Sequence, residues 1–289
     1  MKEEAWRYQL DSYEFQQQLF PRYVDLDTER HVNNVAVFQL HAEARLRYLL
    51  DVMGNDALYS DGVLLRPVRV STDYLRITHY PEPVQFGVRL LGVNDWGYRL
   101  AVGLFQGGAC VGIHDCLMGA WLDGARVRLP ADVRQALAAR GAGEDGPAPA
   151  STAAAPSADG YPMTVEFGPR YADMDPDKVV GEAAVARYTE QSRATMLNVI
   201  RTPEIGLLVA AVQAEFVQFR LVREQVRVPI GVIKLGNSSF VLQSRISGDG
   251  HPIAVARSTM VVFDRASGRP RPMTDAERAR LQGLMIQST

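Results

Sequence analysis

Two aspartates at alternate positions, Asp25 and Asp27, lead into His31 and the pair Asn33-Asn34 within R-Y-V-D-L-D-T-E-R-H-V-N-N, residues 22–34. A carboxylate near an imidazole can take a proton from water or attack an electrophilic carbonyl itself, and the imidazole can return a proton to a leaving group. The residues that follow have helical character. A helix start presents unpaired amides with partial positive charge, suited to a developing oxyanion. Asp27, just before that helix, is the candidate base or nucleophile; its plainer reading is a turn or cap carboxylate. Asp25 points the other way in an extended chain and is read as a tie for Arg22 or the turn. His31 could orient Asp27, hold water or protonate a leaving group. Asn33 and Asn34 read as caps and turn-holders, and with Val35 and Glu43 they are the candidate substrate-contacting positions. Glu43 either faces the site or pairs with Arg47 at the i, i+4 spacing.

These residues need elements to hold them. Tyr13 to Tyr23 reads as a strand, and the helix should run from about Val35 to Val52 with Gly54 as its stop. Phe38, Ala42, Leu46 and Leu49 share one face, broadened by Val35, Leu50 and Val52. Leu64 to Leu122 reads as strands: Val84, Phe86, Val88 and Leu90 alternate with their neighbours, and turns fall at Asn94–Gly97 and Gly107-Gly108. Much of this recurs. At a shift of 148 residues, 10 of the 29 positions from Pro21 to Leu49 are identical, including Arg22/Arg170, Asp25/Asp173, Asp27/Asp175 and Arg45/Arg193. Beyond the helix the shift is 142, so six fewer residues follow the second helix, which reads as a loop difference.

The chain is therefore one unit used twice, an α+β protein with an N-terminal domain over 1–139, a Gly/Ala/Pro/Ser-rich linker over 140–160 and a C-terminal domain over 161–289. A charged segment from Thr274 to Leu284 should be a short helix. Strand, Asp turn, one long helix and then several strands fit a helix wrapped by a curled antiparallel sheet. Pairing the two copies as an intramolecular pseudo-dimer would cover the exposed sheet edge.

Of 289 residues, 47% are hydrophobic and the net charge is -2, so packed cores are expected and no global basic field invites nucleic acid. Cys110 and Cys116 are too few for a disulfide framework, and the five histidines lack metal-ligand spacing. No glycine-rich phosphate loop and no G-x-S-x-G elbow is present, which argues against nucleotide chemistry and α/β-hydrolase chemistry. An acidic start without an apolar core, and no long apolar run, predict a cytoplasmic protein without a membrane span.

The D-x-D-x-x-x-H-V-N-N run, followed by Glu43-Ala44-Arg45, resembles the signature of hotdog-fold thioesterases: the hydroxybenzoyl-CoA thioesterase group and, more closely, the acyl-ACP thioesterases with two hotdog units in one chain. The resemblance covers nearly the whole chain apart from linker and termini. It implies two tandem hotdog domains and hydrolysis of a thioester on CoA or acyl carrier protein, whose phosphopantetheine arm is part of the substrate, with no separate cofactor or metal. A monomeric pseudo-dimer or a homodimer of double hotdogs is the implied assembly. Asp27 matches the family's catalytic carboxylate and His31 its histidine, Glu29 stands where acyl-ACP thioesterases carry an asparagine, and Asp73-Tyr74-Leu75-Arg76 matches an E-Y-x-R context. In the second copy Asp175 remains, Val179 replaces His31, Gly181 and Glu182 replace Asn33 and Asn34, and Glu215 stands at the place of Asp73. The first copy is thus the expected live site. The competing expectation is a binding or structural protein on the same fold.

Overall fold

The structure is a computed structural model, described here for residues 4–57, 62–141, 143, 147, 159–200 and 205–287. Its contacts divide the chain into two compact units, Met1–Thr152 and Ala153–Thr289. The linker expected at 140–160 lies mostly outside the described residues.

The first unit holds β1 (Phe15–Leu19), α1 (Asn34–Met53), β2 (Leu64–Tyr74), β3 (Val84–Asn94), β4 (Gly97–Gln106), β5 (Ala109–Leu122), β6 (Ala125–Val127) and α2 (Ala131–Ala138). Its strands pair antiparallel in the order β1-β3-β4-β5-β2, with β6 on β5. The second unit holds β7 (Met163–Phe167), α3 (Glu182–Leu197), β8 (Ile205–Phe216), β9 (Val226–Leu235), β10 (Ser239–Gly248), β11 (His251–Asp264) and α4 (Asp275–Gln282). Its order is β7-β9-β10-β11-β8, again antiparallel throughout. Each unit thus repeats a long helix against an antiparallel sheet. The expected strand from Tyr13 to Tyr23 is only five residues long, because the chain enters through two 3-10 turns and leaves through Pro21 into a third, Tyr23–Asp25. Nor is the shortfall of the second copy confined to a loop: α3 has 16 residues where α1 has 20.

The buried stripe of α1 also differs from the hydrophobic pattern. Val37, Phe38, His41, Ala44, Arg45, Tyr48 and Leu49 are buried, whereas Ala42, Leu46 and Leu50 are only half-buried. Polar side chains take the deep positions, so apolar periodicity pointed about a quarter-turn away. Tyr48 donates its hydroxyl to Glu14 Oε1 at 2.6 Å. Arg45 donates to Cys116 Sγ at 2.9 Å and Met118 Sδ at 3.2 Å. His41 stacks on His114 of β5 with ring centroids 4.8 Å apart, and His114 Nδ1 shares a hydrogen bond with Thr72 Oγ1 of β2 at 2.8 Å. Both histidines are fully buried.

Burial holds these two rings neutral: it lowers His41 to about 3, and with the charges of the neighbouring residues it drives His114 well below the ordinary histidine range. An unfolded chain takes up protons below about pH 6.5 that the folded chain refuses, so stability is intact above that pH and falls as pH drops toward the folded values. His41 alone should cost roughly 3 kcal/mol by about pH 4. Replacing both rings by the second copy's residues at these positions, as H41T/H114A, should flatten this slope in denaturant titrations across that window. An equal slope in variant and wild type would show that the rings are not held neutral.

Candidate active site

The Asp turn is built in layers. Arg22 donates its backbone amide to Asp25 Oδ2 at 2.7 Å, and its guanidinium bonds both Asp25 oxygens at 2.8 and 3.3 Å, so Asp25 is the expected tie. Leu26 then bridges Val32, the Asp27 amide donates to the His31 carbonyl at 2.8 Å, and the Arg30 amide donates to the Asp27 carbonyl at 3.1 Å. Closing so tight a loop puts Arg30 at φ 65°, a left-handed conformation unusual for a non-glycine residue. Within the loop, Asp27 Oδ1 accepts the amides of Glu29 at 2.9 Å and His31 at 3.0 Å. Asp27 Oδ2 makes no hydrogen bond among the described residues.

The helix starts where the turn closes. The Asn33 amide donates to the Asp25 carbonyl at 2.8 Å, and its side chain caps α1 by accepting the Val35 amide at 2.6 Å. Asn34 is the first helical residue; its carbonyl accepts the Tyr74 hydroxyl at 3.0 Å, which ties the end of β2 to the helix start. Asp27, Glu29, His31, Asn33, Asn34 and Val35 are therefore gathered in one turn and the first turn of one helix. Two other candidates are not. Glu43 pairs with Arg47 at 2.8 Å on the helix surface. Asp73 follows Thr72, whose side chain meets His114 under α1, so strand alternation puts Asp73 on the sheet face away from the helix. Asp73 is nearly buried there. Glu29 is exposed on the loop.

His31 does not orient Asp27 through its ring, as the sequence pattern had allowed; its backbone amide does. The ring meets His79 edge-on, centroids 6.0 Å apart. His79 went unnoticed in the sequence because it stands alone in a loop between strands. The Val32 amide donates to the Thr78 carbonyl at 3.0 Å, which brings that loop to the turn. Gln106 then fixes His79 from both sides, accepting its amide at 2.8 Å and donating to its carbonyl at 2.9 Å.

The second copy repeats the scaffold. Arg170 ties Asp173, the Asp175 amide donates to the Val179 carbonyl at 3.0 Å, Lys178 sits at φ 61°, and Asp175 Oδ1 accepts the Asp177 amide at 3.0 Å. Its helix begins at Gly181, which has no side chain to cap it; a Cβ there would stand 3.1 Å from Asp175 Oδ2. The turn thus forms with valine in place of histidine. Among the described residues, no three His, Cys, Asp or Glu side chains converge as metal ligands, and no helix is long and apolar enough to cross a membrane.

The cap gives a direct test. Asn33→Ala should lower stability by about 1 kcal/mol and Asn33→Gly, the second copy's solution, by only a few tenths. Equal losses in urea unfolding would show that the Asn33 side chain does not cap α1.

Residues 169–281, most of the second unit, match the family model of the thioesterase-like superfamily. No curated protein matches the sequence. Among solved structures, a protein of Lactobacillus plantarum assigned as an oleoyl thioesterase superposes with a TM-score of 0.70 at 13% identity, over 87% of this chain and 97% of its own. A 12:0-ACP thioesterase from Umbellularia californica gives 0.69 at 12% identity, over 86% and 94%. An acyl-ACP thioesterase from Bacteroides thetaiotaomicron gives 0.62 at 11% identity, over 86% and 97%. At such identities the superpositions establish the fold alone: the chain carries the fold of these thioesterases over most of its length, and residues 169–281 are similar to the thioesterase-like superfamily.

Proposed function

We propose that the protein hydrolyses an acyl thioester carried on CoA or acyl carrier protein, with its working site at the Asp turn of the first unit. One observation carries this reading. The second copy builds the same turn with Val179, so His31 is not needed to shape it and stands at the helix start, beside His79, for its ring chemistry. The thioesterase-like match and the whole-chain superpositions support the reaction class.

In this reading Asp27, held by two amides through Oδ1, directs Oδ2 at a water molecule and accepts its proton as the oxygen attacks the thioester carbonyl. Direct attack by the carboxylate, forming an anhydride that water then opens, would use the same placement. The first turn of α1 lies where negative charge develops on the carbonyl oxygen. Collapse breaks the carbon–sulfur bond; the electron pair leaves with sulfur, which takes a proton from His31 or His79. The products are a free acid and a thiol. We further read the two units as an intramolecular pseudo-dimer on the hotdog plan, with the phosphopantetheine arm entering as part of the substrate and no other cofactor. Glu29, Glu43 and Asp73 have no step in this scheme, and Asp175 keeps its turn without a histidine.

Thiol release from a panel of short, medium, long-chain and aromatic acyl thioesters, on CoA and on acyl carrier protein, tests the reading. Asp27→Asn should lower kcat by roughly a thousandfold or more with substrate affinity retained, and Asp175→Asn should leave most turnover in place. No hydrolysis of any thioester by the wild type would contradict it and leave a binding protein.

A further inference from the structure

The layer beneath α1 in the first unit breaks a rule that the matching layer of the second unit keeps. Buried polar atoms are normally paired, because an unpaired one has given up its bonds to water for nothing in return. Beneath α1, His41 Nδ1 and Nε2, His114 Nε2 and the Tyr98 hydroxyl are buried without a hydrogen-bond partner. They share one surface: His114 lies opposite Thr72 and Val102, Tyr98 opposite Met118, and His41 stacks on His114. Arg45 continues the layer, its guanidinium against Cys116 and Met118.

The second unit shows that the fold does not need this polarity. In matching register its residues are Ala214 for Thr72, Ala256 for His114, Phe240 for Tyr98 and Thr189 for His41. Thr189 satisfies itself on the Val185 carbonyl at 2.8 Å, and Arg193, the counterpart of Arg45, donates to Ser258 at 3.1 Å. The backbone has also been trimmed to admit the first unit's rings. Gly112 stands where the second unit has Ala254, and a Cβ there would sit 3.3 Å from His41 Nε2. Unsatisfied polar groups introduced together at one layer, in the unit that keeps the Asp-His turn, mark a place made to meet a polar partner.

Position says what that partner is. His41 is seven residues along α1 from Asn34, about 10 Å at 1.5 Å per residue. We propose that His41, His114 and Tyr98 form the distal end of the acyl site, and that the substrate is an acyl group bearing an oxygen substituent, a hydroxyl or keto group, about 10 Å from its thioester. The inference rests on the hydrolase reading above and narrows its substrate class. An oxygenated chain would supply the donor and acceptor the layer lacks; a plain alkyl chain would leave them unpaired and be rejected.

The experiment compares octanoyl with ω-hydroxyoctanoyl thioesters, each on CoA and on acyl carrier protein. The wild type should favour the hydroxylated member by roughly tenfold or more in kcat/KM, and H41T/H114A, carrying the second unit's own residues, should narrow or invert that ratio. Equal kcat/KM, or preference for the plain chain, in the wild type overturns the inference whether or not the variant folds. Absence of all turnover would defeat the hydrolase reading instead. Calorimetric titration with the same pair of thioesters then still decides: tighter binding of the hydroxylated member sustains the distal site, and equal binding removes it.

Discussion

Everything at the candidate site hangs on the closing of one turn. A short loop must reverse between Leu26 and Val32 and deliver the chain into a helix, and it does so with side-chain carboxylates standing in for backbone partners. Asp25 binds Arg22 and holds the entry, Asp27 binds the amides of Glu29 and His31 and holds the tip, and Asn33 binds the Val35 amide and starts the helix. The left-handed Arg30 is the conformational cost of that reversal, and Lys178 repeats it in the second copy. Because one Asp27 oxygen is committed to the loop, the other is fixed in direction before any substrate arrives, which is the preorganisation a general base or nucleophile needs.

Two copies of one unit allow structure and chemistry to be separated inside a single molecule. What both copies share, the Arg–Asp tie, the left-handed residue and the buried arginine on the helix, belongs to the fold. What only the first keeps, His31 and the Asn33 cap, and what only the first has beneath its helix, His41, His114 and Tyr98, is not required to fold the unit. Yet the family model matches the second copy, which had read as the eroded one. The match therefore holds with Val179, Gly181 and Glu182 in place of His31, Asn33 and Asn34. The conserved tie is the common element: Asp173, bonded by Arg170 and by the Tyr188 hydroxyl at 2.7 Å, is as firmly held as Asp25.

The long helix, its cap, its glycine stop and the run of strands after it were legible because each rests on local signals: periodicity, an asparagine at the start, Gly54 at φ 65° at the end, alternation along Val84–Leu90. The rotation of the α1 stripe was not, since apolar periodicity cannot anticipate that His41, Arg45 and Tyr48 would be buried. At the site, the local turn was readable from residue types alone, and Asp25 and Asn33 do what their chemistry indicated. His79 was not readable, because its approach to His31 depends on a loop some fifty residues away being pinned by Gln106 and the Val32 amide. The placement of Asp73 was not readable for the opposite reason: a linear match carries no information about which face of a strand a residue occupies, and the Thr72–His114 bond decides that.

The claim that the first unit's turn is a reacting site and not only a fold element is tested most directly by His31→Val, which installs the residue the second copy carries at Val179. The account predicts an unfolding midpoint within error of wild type together with a fall of roughly a hundredfold or more in thiol release from the preferred acyl thioester. Unchanged thiol release in a fully folded variant would contradict it, and would assign His31 to the scaffold along with the aspartate tie.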